Sequence, residues 1–151
     1  MPMIDVTVVR GSIAPPKTQA LLDDLATTLL RWEGAPDTEF FREVTWVYLH
    51  EIDADRLAVG GRPGGAPRFR IDITVPAGAL SERRKTGLIA DVHATVVAAA
   101  ELDPHSAQAM HVWTLIREVP EGNWGVAGAP VAFAQLKQAS AAEHERIDSP
   151  R

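Results

Sequence analysis

Hydrophobic positions in the first half of the chain predict a strand, a helix and a second strand. Met3 to Val9 is rich in β-branched residues, which favour strands. Pro15-Pro16 suits the first turn of a helix, and Gly34-Ala35-Pro36 is typical of a helix end. Between them, an apolar stripe at helical spacing is formed by Leu21, Leu22, Leu25, Leu29 and Leu30. Val44 to Ile52 predicts a second strand.

The second half of the chain follows the same plan. Phe69 to Val75 predicts a strand, and Ser81 is a suitable N-cap for a helix that extends to about Ala100. The predicted apolar face of this helix consists of Leu88, Ile89, Val92 and Val96. His111 to Val119 predicts the matching strand. The glycines of Gly60-Gly61 and Pro63-Gly64-Gly65 predict a flexible joint between the halves.

These halves are two copies of one unit. Ile4-Asp5-Val6-Thr7-Val8 recurs as Ile71-Asp72-Ile73-Thr74-Val75, which lies 67 positions later. The same offset relates Glu51 to Glu118, and this symmetry favours a structural role for both, such as a turn or an interface contact, over a paired acid and base. Each unit is of the β-α-β type, in which a right-handed crossover joins two parallel strands.

The repeat predicts the fold class. We expect an α/β fold (α+β in some schemes), in which two tandem β-α-β units form one four-stranded sheet with two helices on one face. The predicted domain covers residues 1–130, with repeats at 2–62 and 68–128. Residues 131–151 would add a helix from Phe133 to Glu145 and a frayed tail. The other sheet face would expose aromatic side chains, which predicts contacts between subunits: Trp46, Tyr48 and Trp113.

Composition and charge narrow the classes of partner. The 151 residues carry a net charge of −5, which argues against nucleic acid as the main partner. No apolar run is long enough to span a bilayer and no signal peptide is visible, so we expect no membrane partner. The chain has no cysteine, which excludes disulfides and fits a cytoplasmic protein. Its five histidines lack metal-ligand spacing, and we predict neither a metal nor another cofactor.

A start at Met1-Pro2, the repeated unit and one further segment together indicate a family. That segment is Glu-Val-Pro-Glu-Gly-Asn-Trp-Gly-Val-Ala-Gly at residues 118–128. With these features the chain resembles the tautomerase superfamily over residues 2–128. It is similar to fused two-unit members, with likeness to 4-oxalocrotonate tautomerase and cis-3-chloroacrylic acid dehalogenase. The resemblance implies a homotrimer that needs no cofactor.

The resemblance also implies that the amino-terminal proline is the catalyst. Removal of Met1 would make Pro2 a secondary amine, and a free α-amino group has a pKa of about 7.7–8.0. A neutral prolyl nitrogen can take a proton from a dienol and return it to carbon. The function implied is keto–enol tautomerisation of a small carboxylate-bearing molecule, with Pro2 as the general base.

The chain departs from the superfamily where relatives bind carboxylates. The arginine that follows the first strand's terminal glycine in the small tautomerases is replaced by Ser12 and Ala79, and the dehalogenase arginine pair by Pro76-Ala77-Gly78-Ala79. The known arrangements for dehalogenation and decarboxylation are therefore disfavoured. A hydratase, dehalogenase or decarboxylase acting on small unsaturated or oxo acids stays an alternative, as does a non-catalytic oligomeric binding protein.

Other residues must then hold the substrate. Arg117 is the preferred anchor, because it shares a strand face with Trp113 and with the position of the family's pocket tyrosine. Tyr48 and His50 occupy the equivalent face of the first copy and could polarise an enolate oxygen. The remaining candidates for substrate binding are Arg70, Trp124 and Arg10.

Overall fold

The computed structural model describes residues 2–148, which form one mixed sheet, four α-helices and two short hairpins. Its first half contains β1 (Met3–Val9), α1 (Pro15–Glu33), α2 (Glu39–Glu43), β2 (Trp46–Ile52), β3 (Ala58–Val59) and β4 (Arg62–Pro63). Its second half contains β5 (Phe69–Pro76), α3 (Glu82–Ala99), β6 (Val112–Val119), β7 (Gly125–Val126), β8 (Ala129–Pro130) and α4 (Phe133–Asp148). The predicted frayed tail beyond residue 148 lies outside the described residues.

The sheet has a pseudo-twofold axis at its centre. The strand order is β2-β1-β5-β6, in which β1 pairs with β2 in parallel, β5 pairs with β6 in parallel, and β1 and β5 are antiparallel. Asp5 lies directly opposite Asp72, its own counterpart in the repeat. The two β-α-β units therefore face each other across this residue pair, and the predicted fold class is confirmed.

Local sequence explains where the two long helices begin and end. Pro15 and Pro16 occupy the first turn of α1, where their fixed φ suits a helix. Gly34 ends α1 in the left-handed conformation, with φ of 73°, and its N–H donates to the Arg31 carbonyl at 3.2 Å. The Ser81 hydroxyl caps α3 by accepting a hydrogen bond from the Arg84 N–H.

Both helices pack on one face of the sheet and bury its core. Their buried side chains meet the inward positions of β1 and β5, which include Ile4, Val6, Ile71 and Ile73. The predicted stripes are confirmed in large part, since the fully buried helix positions include Leu21, Leu25, Leu29, Leu88, Val92 and Val96. The prediction was wrong for Ile89, which is 41% exposed because it points away from α1 and the sheet.

Two other sequence predictions needed correction. The glycines at 60 and 61 form a tight hairpin turn between β3 and β4 instead of a flexible joint, because both adopt positive φ. The strand β2 begins at Trp46 instead of Val44, because α2 occupies the preceding residues. A second hairpin, between β7 and β8, lies 67 positions after the first.

Glu51 and Glu118 occupy equivalent places at the ends of β2 and β6. Each carboxylate accepts the N–H of the glycine in the turn after the neighbouring strand, Gly11 at 3.5 Å and Gly78 at 3.1 Å. Glu118 is also paired with Lys85 at 2.9 Å, which, together with the Gly78 N–H, lowers the carboxyl pKa. These contacts give both residues the structural role that their symmetry predicts.

No helix in residues 2–148 is both long and apolar enough to cross a membrane.

Candidate active site

A cavity of about 300 Å³ opens beside Pro2 at one end of the sheet. Pro2 is buried immediately before β1, and its carbonyl accepts the Trp46 N–H at 3.3 Å. The C-terminal end of α1, the end of β5 and the helices α2, α3 and α4 supply the other walls. The apolar lining consists of Ala35, Phe41, Pro76, Ala79, Phe133 and Leu136. A buried proline is thus placed at the edge of a mainly apolar chamber.

Three ionisable side chains also line this cavity: Glu33, Arg84 and Lys137. Arg84 comes from the first turn of α3, and its Nη1 donates to the Glu33 carbonyl at 3.2 Å. This contact holds the guanidinium beside Gly34 and leaves other N–H groups for a ligand. Lys137 approaches from α4. Two cations beside an apolar wall form a suitable binding site for a small carboxylate.

Glu33 is the one carboxylate in the lining, and its environment is unfavourable to charge. It is the last residue of α1 and is partly buried. Burial raises the pKa of Glu33 from 4.5 to about 7, because a desolvated carboxylate loses its hydration. At neutral pH this group can therefore exist as an acid or as a base.

The helix α4 covers the Pro2 end of the sheet. Its first residue, Phe133, is 8% exposed, and the Phe133 N–H donates to the Glu121 carboxylate at 3.0 Å. Further along, His144 Nε2 lies 3.2 Å from the Gly34 carbonyl. The helix is therefore attached at both ends, and Leu136, Lys137 and Ser140 face the cavity between these attachments.

The structure places the other predicted binding residues outside the lining of the Pro2 cavity. Arg70 and Arg117 lie on the open sheet face, where both pair with the buried Asp72, at 2.7 Å and 2.8 Å respectively. On the same face, His50 Nε2 lies 2.7 Å from the Asp5 carboxylate. These residues line a separate polar cavity of about 360 Å³ that also includes Thr7 and Thr74.

The aromatic candidates and Arg10 are likewise apart from the Pro2 cavity. Trp113 is 68% exposed and Tyr48 is 44% exposed, both on the open sheet face, where Tyr48 stacks on His50. Trp124 is partly buried in the turn before β7. Arg10 is exposed and its Nε donates to Asp53 at 3.0 Å. Of the predicted site residues, Pro2 alone lines the cavity described above.

Sequence reasoning missed Glu33, Arg84 and Lys137. A usable signal existed for Arg84, because it follows a capped helix start that the repeat places next to the end of β5. Lys137 gave no such signal, because it lies outside the repeat. Glu33 could have been noticed as a carboxylate that precedes a helix-ending glycine.

Among residues 2–148, no three His, Asp or Glu side chains are grouped so that they could hold a metal ion.

Comparisons with known proteins agree with this architecture. The family model described as Tautomerase enzyme matches residues 70–134. A fused 4-OT solved as a wild-type symmetric trimer is 25% identical, with a TM-score of 0.71 over 88% of this chain and 98% of that chain. N1, a member of the cis-3-chloroacrylic acid dehalogenase family, is 22% identical, with a TM-score of 0.69 over 97% of this chain and 99% of that chain.

A third similar structure is that of Pt0534 inactivated by 2-oxo-3-pentynoate. It is 20% identical to this chain, with a TM-score of 0.72 over 88% of this chain and 98% of that chain. A comparison with curated proteins gave no match.

Proposed function

We propose that this chain, whose residues 70–134 match the family model described as Tautomerase enzyme and whose fold resembles that of fused 4-OT, catalyses keto–enol tautomerisation of a small 2-oxo carboxylate with Pro2 as the general base. The observation that carries this proposal is the placement of Pro2 in an apolar cavity that also contains two cationic side chains. Removal of Met1 would turn the Pro2 nitrogen into a secondary amine inside this cavity.

The surroundings favour the neutral amine that a base requires. Desolvation and nearby positive charge both lower the pKa of an amine, and the cavity offers both through its apolar walls and through Arg84 and Lys137. A neutral prolyl nitrogen accepts the enol proton while the enol carbon–oxygen bond becomes a carbonyl. The electron pair of the carbon–carbon double bond takes a proton from an acid in the cavity and forms the new C–H bond, and the prolinium proton then replaces the one that this acid has lost.

Arg84 and Lys137 are the proposed anchors for the substrate carboxylate. Arg117, which sequence reasoning preferred, is hydrogen-bonded to Asp72 on the open sheet face and lines the separate polar cavity there. The guanidinium of Arg84 can instead bind a carboxylate and place the adjacent enol carbon toward the proline. Phe41 and Phe133 would exclude water from the reacting atoms.

The proposal is tested by ketonisation of 2-hydroxymuconate and phenylenolpyruvate, followed by ultraviolet absorbance. Wild type should be active, and Pro2→Ala should lose on the order of 10²–10⁴-fold in kcat/KM, because it lacks the positioned secondary amine. An N-terminal extension that keeps Pro2 in peptide linkage is the matched control and should be equally inactive. Equal rates for wild type and both altered forms would exclude Pro2 as the base.

Covalent labelling gives a second readout of the same nitrogen. Pt0534 is inactivated by 2-oxo-3-pentynoate, and an activated alkyne of this kind reacts with a free amine. We expect the compound to add once to this chain, at Pro2, with loss of activity, as measured by peptide mass spectrometry. Labelling at a lysine with Pro2 unmodified would contradict the assignment.

We also propose that the chain forms a homotrimer. Fused 4-OT proteins of the same fold are solved as trimers, and the open sheet face of this chain exposes Trp46 and Trp113 by 58% and 68%. Sedimentation equilibrium measures the mass directly, and a monomer at micromolar concentration would contradict this assembly.

A further inference from the structure

We propose that Glu33 is a second catalytic group in the Pro2 cavity, where its neutral carboxyl donates the proton that reaches the substrate carbon. The inference rests on the proposed function, since it assigns a partner to Pro2 in the same reaction. It depends on where α1 ends, on what surrounds its last side chain and on how the two copies of the repeat differ.

The end of α1 places Glu33 in the wall of the cavity. Gly34 turns the chain in the left-handed conformation directly after Glu33, with φ of 73°. The backbone there is held by Arg84, which donates to the Glu33 carbonyl, and by His144, which contacts the Gly34 carbonyl. The carboxyl thus belongs to a fixed segment of backbone and shares the 300 Å³ cavity with Pro2.

Glu33 can carry a proton at the pH where a tautomerase works. Burial raises its pKa to about 7, so a large fraction of the side chain is protonated near neutral pH. The charged and titratable groups that face it are Pro2 before β1, Arg84 on α3, and Lys137 and His144 on α4. The positive charge of the chain's amino terminus opposes the effect of burial on this pKa, and the group is therefore poised to exchange its proton.

The second copy of the repeat shows that the fold does not need this carboxyl. The counterpart of Glu33, 67 positions later, is Ala100, which is partly buried against the core at the end of α3. An apolar residue is therefore sufficient for packing at this position of the repeat. The carboxylate is present only in the copy that contains Pro2, where burying it raises the free energy of the ionised form.

The proposed step balances protons without a further reactant. Pro2 accepts the proton of the enol hydroxyl, and the electron pair of the enol double bond takes the proton of the Glu33 carboxyl. The oxygen becomes a carbonyl, the carbon gains a C–H bond, Pro2 becomes a prolinium and Glu33 a carboxylate. Transfer of the proton from the prolinium to the carboxylate restores both groups for the next turnover.

The pH dependence of kcat/KM tests this assignment. For wild type we expect a bell-shaped profile, because Pro2 must be neutral on the acid side and Glu33 protonated on the alkaline side. Glu33→Gln should lose the alkaline decline and on the order of 10²-fold in activity. Glu33→Asp, which restores a carboxyl, should recover part of the rate together with an alkaline decline.

Two control variants separate Glu33 from other groups. Glu43→Gln removes an exposed carboxylate on α2 and should leave both rate and profile unchanged. His144→Gln should keep the alkaline decline, whereas its loss in this variant would assign that decline to the imidazole and overturn the proposal.

The outcomes distinguish this inference from the proposed function. A wild-type chain without Pro2-dependent ketonisation would overturn both the proposed function and the role of Glu33. Pro2-dependent activity together with a Glu33→Gln variant that keeps the wild-type rate and the alkaline decline would overturn the role of Glu33 alone.

Discussion

The two ends of the central strand pair are related by the internal repeat, yet a cavity lies beside the first residue of one copy and a buried ring occupies the same position in the other. At one end Pro2 borders a cavity lined by Glu33, Arg84 and Lys137. At the other end the counterpart of Pro2 is Phe69, which is 2% exposed and packs into the core. An aromatic ring thus fills the space at a position where the first copy has a cyclic amine.

The remaining counterparts show the same division. Arg84 corresponds to Lys17, whose ammonium forms an ion pair with Glu101 at 2.7 Å on the surface. The helix α4 is outside the repeat and covers only the Pro2 end. The two copies of the repeat therefore share one packing arrangement. The cavity at the Pro2 end results from a few residue differences between the copies and from the added helix α4.

The largest expected effect on stability is at the end of the strand pair where Phe69 is buried. Phe69→Ala should lower the free energy of unfolding by about 3–5 kcal/mol, because it removes a buried ring and leaves a cavity. Urea unfolding at a fixed protein concentration measures this loss. Pro2→Ala is the matched variant at the other end and should reduce activity far more than stability. Equal losses of stability in the two variants would contradict the claim that the two ends differ in their role in packing.

A smaller effect on the free energy of unfolding is expected from ionisation of Glu33 at the Pro2 end. The pKa of Glu33 rises from 4.5 to about 7 on folding, so the folded state binds more protons than the unfolded state between these pH values. Stability should therefore fall as pH rises through this window, by up to about 3 kcal/mol. Urea unfolding from pH 4 to pH 8 measures the decline.

Glu33→Gln should lack this contribution to the pH dependence, whereas Glu43→Gln, with its exposed side chain, should follow wild type. A Glu33→Gln variant that loses as much stability with rising pH as wild type would contradict the burial of this carboxyl.

The smallest expected effect compares the two cations at equivalent positions. Arg84→Ala should raise KM about tenfold, which corresponds to about 1.4 kcal/mol of lost carboxylate binding. Lys17→Ala breaks only an exposed ion pair and should leave KM unchanged. Steady-state ketonisation by the two variants measures both values. Equal changes in KM would show that the carboxylate does not bind at the Pro2 end.

Much of the fold could be predicted because its signals are local or repeated. The bounds of β1 were predicted to the residue, and α1 ends at the predicted glycine, because strand composition and helix caps act within a few residues. The helix α2 and the two hairpins were missed as elements, because segments of two to five residues have no measurable periodicity. The exposure of Ile89 depended on how α3 rotates against α1.

The candidate site was harder to predict than the fold. Sequence reasoning could place Arg117 on a strand face but could not show that Asp72, on the neighbouring strand, holds its guanidinium. It could not bring together Glu33, Arg84 and Lys137 either, because they come from three different helices. Charges that meet only through packing leave no spacing pattern in the chain.

By itself, the amino-acid sequence determined the repeated unit, the faces of the strands and helices, and the proline ahead of β1, because each depends on residues that are neighbours in the chain or on an offset within it. Only the tertiary structure decided which end of the sheet is open and which cations and carboxylate surround Pro2. The physical reason is that burial and charge environment arise where distant segments pack, and α4 packs against one end of a sheet whose two halves are otherwise alike.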